Sequence, residues 1–278
     1  MWGKKDKQCD PEDPEDATQG SHWDHVIIDP ETKRIVSLVV GRRNADTVVQ
    51  VFTDFYERTG GHLPELITTD GYALYEAVIL DTYGVWRAEL ELTAAEEAVF
   101  DRQGLPAFYF PVEITYARVL KEKEGNRVVQ VTSAVVRGSQ EQADETLAQS
   151  EQSQTLNTRF VERYHGTQRQ FNGRKKRKAY TFSKELSFHE ACTWLVVVWY
   201  NFGWCVRTLR EKVQAEPPRY HYRTPARAAG LANQAWTMRE LLCYPLYPIK
   251  DARPKSTIRT YKEVLERLES VLVTEAPT

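Results

Sequence analysis

The sequence has little cysteine, little methionine and no long uninterrupted apolar run. Its four cysteines, Cys9, Cys192, Cys205 and Cys243, lie far apart, and no two of them have the C-x-x-C spacing of a zinc site or a redox pair. This argues against a zinc site and against a disulfide framework, so we expect a protein of the reducing cytoplasm.

Apolar runs are also too short for a membrane partner. The closest candidate, Cys192 to Phe202, falls well short of the ~18 residues that a transmembrane helix needs. Met1 and Trp2 lead directly into lysines and acids, which is not the pattern of a secretory signal. We therefore expect a cytoplasmic protein that does not bind a membrane.

Charge is balanced over the whole chain but not along it. The net charge of −2, with 41% apolar and 27% charged residues, is typical of a soluble globular protein, and 278 residues suffice for a sizeable core. Between Asn157 and Lys178, however, the one carboxylate Glu162 lies among eight cations: Arg159, Arg163, Arg169, Arg174, Lys175, Lys176, Arg177 and Lys178. Such a patch indicates a polyanionic partner or a solvated face.

The basic stretch has a helical period. Asn157 or Thr158 can cap a helix whose aromatic residues Phe160, Tyr164 and Phe171 would face a core. Because residues three and four apart share a face, a second face carries Arg159, Glu162, His165, Gly166 and Arg169. A lone Glu among cations, beside a glycine that leaves room, suggests a phosphate backbone near a metal. The alternative is a solvated helix in which Glu162 is salt-bridged to Arg159 or Arg163.

The first third of the chain predicts strand, strand, helix, strand, helix. The predicted bounds are Trp23–Ile28, Ile35–Val40, a helix from Asn44 to Gly60, Leu63–Thr69, and a helix ending at Gly84. Asp70 then follows a buried strand, where α/β folds gather their chemistry. The alternative is that Asp70 caps the next helix.

The rest of the chain is predicted more coarsely. We expect a solvated acidic loop over Asp6–Asp16, an acidic helix over Leu90–Gly104, and a hairpin from Glu113–Leu120 and Arg127–Val136. We expect an exposed helix or a loose connection over Ser139–Thr155. We also expect Ser183 to cap a long helix that extends through Trp204. Pro217-Pro218 indicates a linker, followed by helices near Thr224–Leu231, Trp236–Leu242 and Thr257–Val273.

Five stretches, in this order, resemble the DDE transposases of small bacterial insertion sequences of the insertion-element-one type. They are SHWDHVIIDPETKRIVSLVVG, ITTDGYALYEAV, NTRFVERYHGTQRQ, RKKRKAYTFSK and YNFGWCVRTLR. The later segments TPARAAGL and WTMRELL also look like the C-terminal end of that family. The resemblance covers nearly the whole chain, and the order of the motifs is more specific than any one of them.

The resemblance implies an α/β fold of the ribonuclease H-like (retroviral integrase-like) type. In that fold three antiparallel strands are followed by a helix, a fourth strand, a helix and a later helix bearing the last acid. It implies a catalytic domain over 1–216, with an insertion at about 85–155 that contains the β-hairpin, and a helical extension over 217–278.

The resemblance also implies chemistry and partners. Three carboxylates hold two Mg²⁺ ions, which Mn²⁺ can replace, and these cut the element's end and join it to target DNA. Asp70 matches the second acid and Glu162 the third, each catalytic and metal-binding. The cations from Arg159 to Lys178 would contact phosphates of double-stranded DNA. The chain would assemble on DNA with further copies of itself.

The amino end departs from the family. Relatives place the first acid in an Asp-Glu-hydrophobic-Trp motif on the first strand, ahead of a segment like Gly3-Lys4-Lys5, and carry an N-terminal DNA-reading module before it. Here the sequence begins at Met1-Trp2, so we expect that strand and its acid to lie before the first residue, either because the start is assigned too late or because the chain is truncated. The DNA-reading module is absent as well, and Asp24 or Asp29 are poor substitutes for the acid. We expect a transposase chain that is nearly inactive as it stands. The alternatives are a non-catalytic DNA-binding remnant that regulates a full-length transposase, and an unrelated ribonuclease H-like nuclease or resolvase.

Overall fold

The computed structural model describes residues 9–10, 16, 20–86, 94–102, 107–125, 127–176, 180–181, 183, 185–214 and 219–244. The elements within them form a mixed α/β protein. In chain order they are β1 Trp23–Ile28, β2 Ile35–Gly41, α1 Ala45–Arg58, β3 Leu66–Asp70, α2 Leu74–Tyr83, β4 Val85–Trp86, α3 Ala94–Arg102, β5 Phe108–Tyr109, β6 Thr115–Glu124, β7 Arg127–Arg137, α4 Gln140–Gln149, α5 Arg159–Phe171, α6 Leu186–Val198, β8 Glu211–Val213, β9 Arg219–His221, α7 Pro225–Ala228 and α8 Met238–Leu242.

The first strands form an antiparallel hairpin that leads into a capped helix. β1 pairs with β2, Trp23 lying opposite Gly41. The Asn44 side chain then accepts a hydrogen bond from the Thr47 amide at 3.2 Å and so starts α1. Gly60 and Gly61 follow the helix with positive φ, which lets the chain reverse without a Cβ clash. The predicted strands and this predicted helix are confirmed.

The second sheet is mixed, in the order β3-β6-β7. β3 runs parallel to β6, with Asp70 opposite Val119, and β7 returns antiparallel to β6. A parallel pair requires a crossover, and α2 supplies its first part. Two short antiparallel pairs, β4 with β5 and β8 with β9, were not predicted. Each of their strands is too short to give a periodic signal.

Helices cover both faces of the β1-β2 hairpin. On one face Ile27 and Val39 pack against a core of α1 and α2 residues that also includes Ile67 of β3 and Tyr116 of β6. On the other face Val26 packs against a second core, formed with residues of α5 and α6. The alternation of side chains along a strand thus divides the hairpin between two helical layers.

The segment after α5 departs from expectation. A 3₁₀ turn at Gly173–Lys175 follows α5, and Glu185, not Ser183, precedes the first residue of α6. Ser183 is buried and accepts a bond from the Arg174 guanidinium at 3.3 Å, so its hydroxyl serves a tertiary contact rather than a helix cap. α6 ends at Val198 and continues as a π-helical turn to Gly203, where a Cβ would meet the Trp199 ring.

Other predictions have mixed outcomes. α4 has a full capping box from Ser139 and Gln142, so Ser139–Thr155 is partly an exposed helix. The expected boundary at 216/217 lies between β8 and β9, which are hydrogen-bonded to each other. The acidic loop (apart from Cys9, Asp10 and Asp16), Pro217-Pro218 and the helix expected over 257–273 lie outside the described residues. Across the described ranges, none of the helices is long and apolar enough to cross a membrane.

Candidate carboxylate site and nucleic-acid interface

Asp70 lies at the carboxyl end of β3, exposed to solvent. Its Oδ1 accepts a hydrogen bond from the Tyr72 amide at 3.0 Å, which forms a turn two residues before α2 begins at Leu74. Asp70 therefore shapes the turn and is not the N-cap of α2. Within the described residues, β3 is an edge strand of its sheet.

Arg43 joins this edge to the start of β1. Its guanidinium carbon lies 4.3 Å from the centre of the Tyr72 ring and 5.4 Å from that of Trp23, and its carbonyl accepts a bond from the Tyr72 hydroxyl at 2.9 Å. The start of β1 is therefore close to the end of β3. This brings Asp24, the second residue of β1, to the same end of the molecule as Asp70.

Asp24 and Asp70 also share a face of the strands. Ile27 and Ile67 both pack against the α1–α2 core, and alternation turns Asp24 and Asp70 to the opposite side of their strands. Asp24 confirms this directly, because its carboxylate contacts Lys175, which follows α5.

Glu162 reaches the same end from α5. The Thr158 hydroxyl donates to its Oε1 at 2.7 Å, and the Lys121 ammonium contacts the same oxygen. Lys121 lies on β6 two residues beyond Val119, the register partner of Asp70. Burial opposes ionisation of Glu162, but the bonds from Lys121 and Thr158 outweigh it and lower the pKa of that carboxyl. The ion-pair partner of Glu162 is thus Lys121, and not Arg159 or Arg163 as the solvated-helix alternative predicts.

Asp24 lies in a largely buried site with Lys175 and His189. The side chains of Asp24 and Lys175 are 13% and 8% exposed, and His189 Nε2 of α6 lies 4.0 Å from the second Asp24 oxygen. Burial lowers the pKa of Lys175, against the attraction of Asp24. Burial and the charge of Lys175 lower the pKa of His189. Asp24 is therefore the counter-ion that keeps Lys175 charged in a largely dry site.

Two histidines respond to all three acids. Burial lowers the pKa of His25, while the charges of Asp24 and Asp70 oppose the shift. Burial likewise lowers the pKa of His165, while Asp24 and Glu162 oppose it. His25 is thus near Asp24 and Asp70, and His165 is near Asp24 and Glu162. Even so, among the residues that the structure describes, no group of three His, Cys, Asp or Glu side chains is arranged to hold a metal ion.

The predicted DNA-binding cations divide into three sets. Arg159, Arg163, Arg169, Arg174 and Lys176 are exposed. Lys175 is directed inward to Asp24, and Arg177 and Lys178 lie outside the described residues. A Cβ added at Gly166 would meet no atom within 4 Å, so the face that Gly166 shares with Arg159 and Arg169 is open.

Sequence reasoning missed Lys121 and the role of Lys175. Lys121 belongs to a strand of alternating charge, KEKE, where nothing local distinguishes it from its neighbours. Lys175 lies in a run of five basic residues, and from the sequence all five are expected to be solvated. Both roles depend on contacts with residues far away in the chain, Glu162 and Asp24 respectively.

Comparison with known proteins identifies no family for this chain. No protein-family model, no curated protein and no solved structure matches the chain.

Proposed function

We propose that the chain is a DNA-binding domain of the DDE transposase type, and that this polypeptide by itself is close to inactive in strand transfer. The observation that carries the proposal is the exposed basic face of α5, whose Glu162 contacts Lys121 on β6, the strand that pairs with β3. An exposed cationic surface is what the phosphates of DNA require.

The strand arrangement supports a ribonuclease H-like fold. That fold requires one more strand before α1 than β1 and β2 supply. Within the described residues, β1 pairs only with β2 and β3 only with β6, so each has a free edge. Ile27 of β1 and Ile67 of β3 nevertheless pack against one core. A strand between the two edges, antiparallel to β1 and parallel to β3, would join both sheets into one.

The carboxylates do not fit two magnesium ions as they stand. Asp70 engages a backbone amide through one oxygen, and Lys121 holds the Glu162 oxygen that a cation would otherwise take. Asp24, the other acid near His25 and His165, is paired with Lys175. Two separately engaged acids bind a metal pair poorly. We therefore assign DNA binding to this chain and no metal-dependent step.

The same observation favours one alternative. A chain that binds DNA through α5 but lacks a complete acid set can act as a non-catalytic regulator that joins or competes with a full-length transposase. In that case DNA affinity does not change with Mg²⁺ or with Asp70→Asn. A nuclease or resolvase, in contrast, would cut DNA without joining it.

Fluorescence anisotropy with a labelled duplex tests DNA binding. The variant Arg159→Ala/Arg163→Ala/Arg169→Ala removes exposed cations from α5, and Lys212→Ala/Arg219→Ala/Arg239→Ala removes the same exposed charge elsewhere. We expect the first variant to lose at least tenfold in affinity and the second to change little, because phosphate contacts depend on position. Equal losses would refute an interface on α5.

A second assay separates the catalytic alternatives. The chain is incubated with pre-nicked element-end DNA and target plasmid in Mg²⁺ or Mn²⁺, and joined and cut products are counted. We expect traces of either at most. Robust strand transfer that Asp70→Asn abolishes would show a complete site and refute the proposed inactivity; cutting without joining would favour the nuclease.

A further inference from the structure

Helix α6 carries apolar residues on every side, although one of its sides is exposed. Val196 and Val197 are buried on the inward side. The outward side is just as apolar: Phe188, Leu195 and Val198 are 56%, 43% and 36% exposed. A helix that is apolar all round is normally buried all round. The outward side of α6 therefore has the composition of a contact surface.

The outward residues form a regular stripe along the helix, which we call the α6 stripe. It consists of five residues whose spacing alternates between three and four, namely Phe188, Ala191, Leu195, Val198 and Phe202. Phe202 belongs to the π-helical turn that continues α6, and it is partly exposed. This alternating spacing is the one with which a helix packs lengthwise along a second helix.

A cavity of about 480 Å³ adjoins the middle of the α6 stripe. Leu195 belongs to its lining, together with Cys192 and Val196 of the same helix and Phe171 at the end of α5. The stripe is therefore not flat at its centre, and large apolar side chains of a second helix can enter it. Side chains inserted between those of a neighbouring helix are what lengthwise helix packing requires.

The carboxyl-terminal part of the sequence repeats the same spacing. Residues 257–273 lie outside the described residues, and within them five apolar residues are again separated by three and four positions: Ile258, Tyr261, Leu265, Leu268 and Leu272. Most of the residues between them are charged, namely Arg259, Lys262, Glu263, Glu266, Arg267 and Glu269. This pattern predicts a helix with one apolar stripe, and such a helix needs an apolar surface to pack against.

The last described residue lies close to one end of the α6 stripe. The ring centre of Tyr244 is 5.2 Å from that of Trp236, which is 5.0 Å from that of Phe202. The Trp236 amide also donates to the Phe202 carbonyl at 2.9 Å. From Tyr244, residues 245–256 can span up to ~40 Å when extended, whereas the stripe is only about 20 Å long. The predicted helix can therefore reach every part of the stripe.

We infer that residues 257–273 form a helix whose apolar stripe packs along the α6 stripe of the same chain and covers the cavity. The two stripes match in length and in spacing. A linker this short keeps the segment near α6 at an effective concentration of about millimolar, which favours the chain's own segment over a second copy. This packing does not depend on DNA binding, so neither proposal falls with the other.

A photoreactive side chain at Leu195 identifies its neighbour directly. p-Benzoylphenylalanine replaces Leu195 in the full chain, and the same probe replaces Asp144, which is exposed on α4, as the control. After irradiation, monomeric protein is isolated and the crosslinked peptide is mapped by mass spectrometry. We expect the probe at Leu195 to crosslink to residues 257–273, and the probe at Asp144 not to do so. Crosslinks from Leu195 only to other segments, or only to a second copy, would overturn the inference.

Alkylation of Cys192 by iodoacetamide measures how well the stripe is covered. Leu265→Asp/Leu268→Asp places two charges within the apolar stripe of the segment, and Thr260→Asp/Ser270→Asp places two on its other faces as the matched control. We expect the first variant to speed alkylation of Cys192 by about tenfold or more, because a docked segment leaves an open state populated at about 10% or less. The control should change the rate little.

The same assay distinguishes the chain's own segment from a second copy. Cys243 is exposed and serves as the reference thiol in each sample. If a second copy covered the stripe, alkylation of Cys192 in the unaltered chain would become faster on dilution, whereas we expect no change relative to Cys243. Faster alkylation on dilution would overturn the inference, and so would equal Cys192 rates in the unaltered chain and in Leu265→Asp/Leu268→Asp.

Discussion

Replacing Lys175 by methionine tests whether the Asp24–Lys175 pair is a buried ion pair that supports the fold. Methionine keeps most of the length and apolar surface of lysine and removes its charge. The change leaves the Asp24 carboxylate, 13% exposed, without its counter-ion. Breaking a buried pair from one side costs about 3–5 kcal/mol, whereas an exposed pair contributes about 0–1 kcal/mol. The residual exposure of both side chains places our expectation at about 2–4 kcal/mol at pH 8.

The neighbouring histidine makes the loss depend on pH. His189 Nε2 lies 4.0 Å from Asp24, and the charge of Lys175 helps to lower the pKa of His189. Without Lys175 the pKa of His189 rises, and a protonated His189 replaces the missing cation. We therefore expect Lys175→Met to lose less stability, relative to the unaltered chain, at pH 6 than at pH 8.

Urea unfolding, followed by circular dichroism at both pH values, measures this. Asp24→Asn/Lys175→Met is the control, because it removes the stranded charge and should recover at least ~1 kcal/mol, within the coupling expected for residues in contact. In a surface pair, Lys175→Met would lower the free energy of unfolding by less than ~1 kcal/mol at pH 8, and the losses of Lys175→Met and Asp24→Asn would add up in the double variant. That result would refute the buried-pair reasoning.

Three further predictions concern single residues. Gly84→Ala should lower the free energy of unfolding by about 2 kcal/mol or more, because the new Cβ would lie 2.3 Å from the Phe108 ring and 2.4 Å from the Leu80 carbonyl. Gly166→Ala, in open space on α5, should instead raise it by about 0.5–1 kcal/mol. Urea unfolding of both variants measures the two effects. Lys121→Met should raise the pKa of Glu162, which carbon-detected NMR of the carboxyl reports; an unchanged value would show that Lys121 does not hold that carboxylate. Stability should also decrease on acidification, because the pKa values of His25, His165 and His189 are lowered on folding and the unfolded chain then binds more protons. This stabilisation is complete above the ordinary histidine pKa of ~6.5 and is lost below it, by at most ~1.4 kcal/mol per pH unit for each histidine. Equal urea midpoints at about pH 7.5 and about pH 5.5, one value on each side of that pKa, would contradict this prediction.

Local patterns predicted the elements that carry strong local signals. β1 and α1 alternate or repeat clearly, and Asn44 is a strong cap, so their positions followed from the sequence. The aromatic face of α5 was also predictable, since Tyr164 recurs at helical spacing and is indeed buried. Where the period is long and the cap is specific, neighbouring residues determine the structure.

The parts that could not be predicted depend on distant contacts. Ser183 has the chemistry of an N-cap, but the Arg174 guanidinium uses its hydroxyl instead. In the sequence, Lys175 cannot be distinguished from its basic neighbours. In the fold it forms an ion pair with Asp24, which is far away in the chain. β3 likewise pairs in parallel with β6, and the residue pattern of neither strand indicates which strand is its partner.

The salt dependence of duplex binding tests the central claim most directly, that the exposed face of α5 holds DNA phosphates. The logarithm of the association constant should decrease linearly with the logarithm of salt concentration, by about 0.9 for each phosphate contacted. Arg159→Ala/Arg163→Ala/Arg169→Ala should make that slope shallower by two to three such contacts, and Lys212→Ala/Arg219→Ala/Arg239→Ala should not change it. A slope near zero for the unaltered chain, or the same slope in both triple variants, would contradict the account.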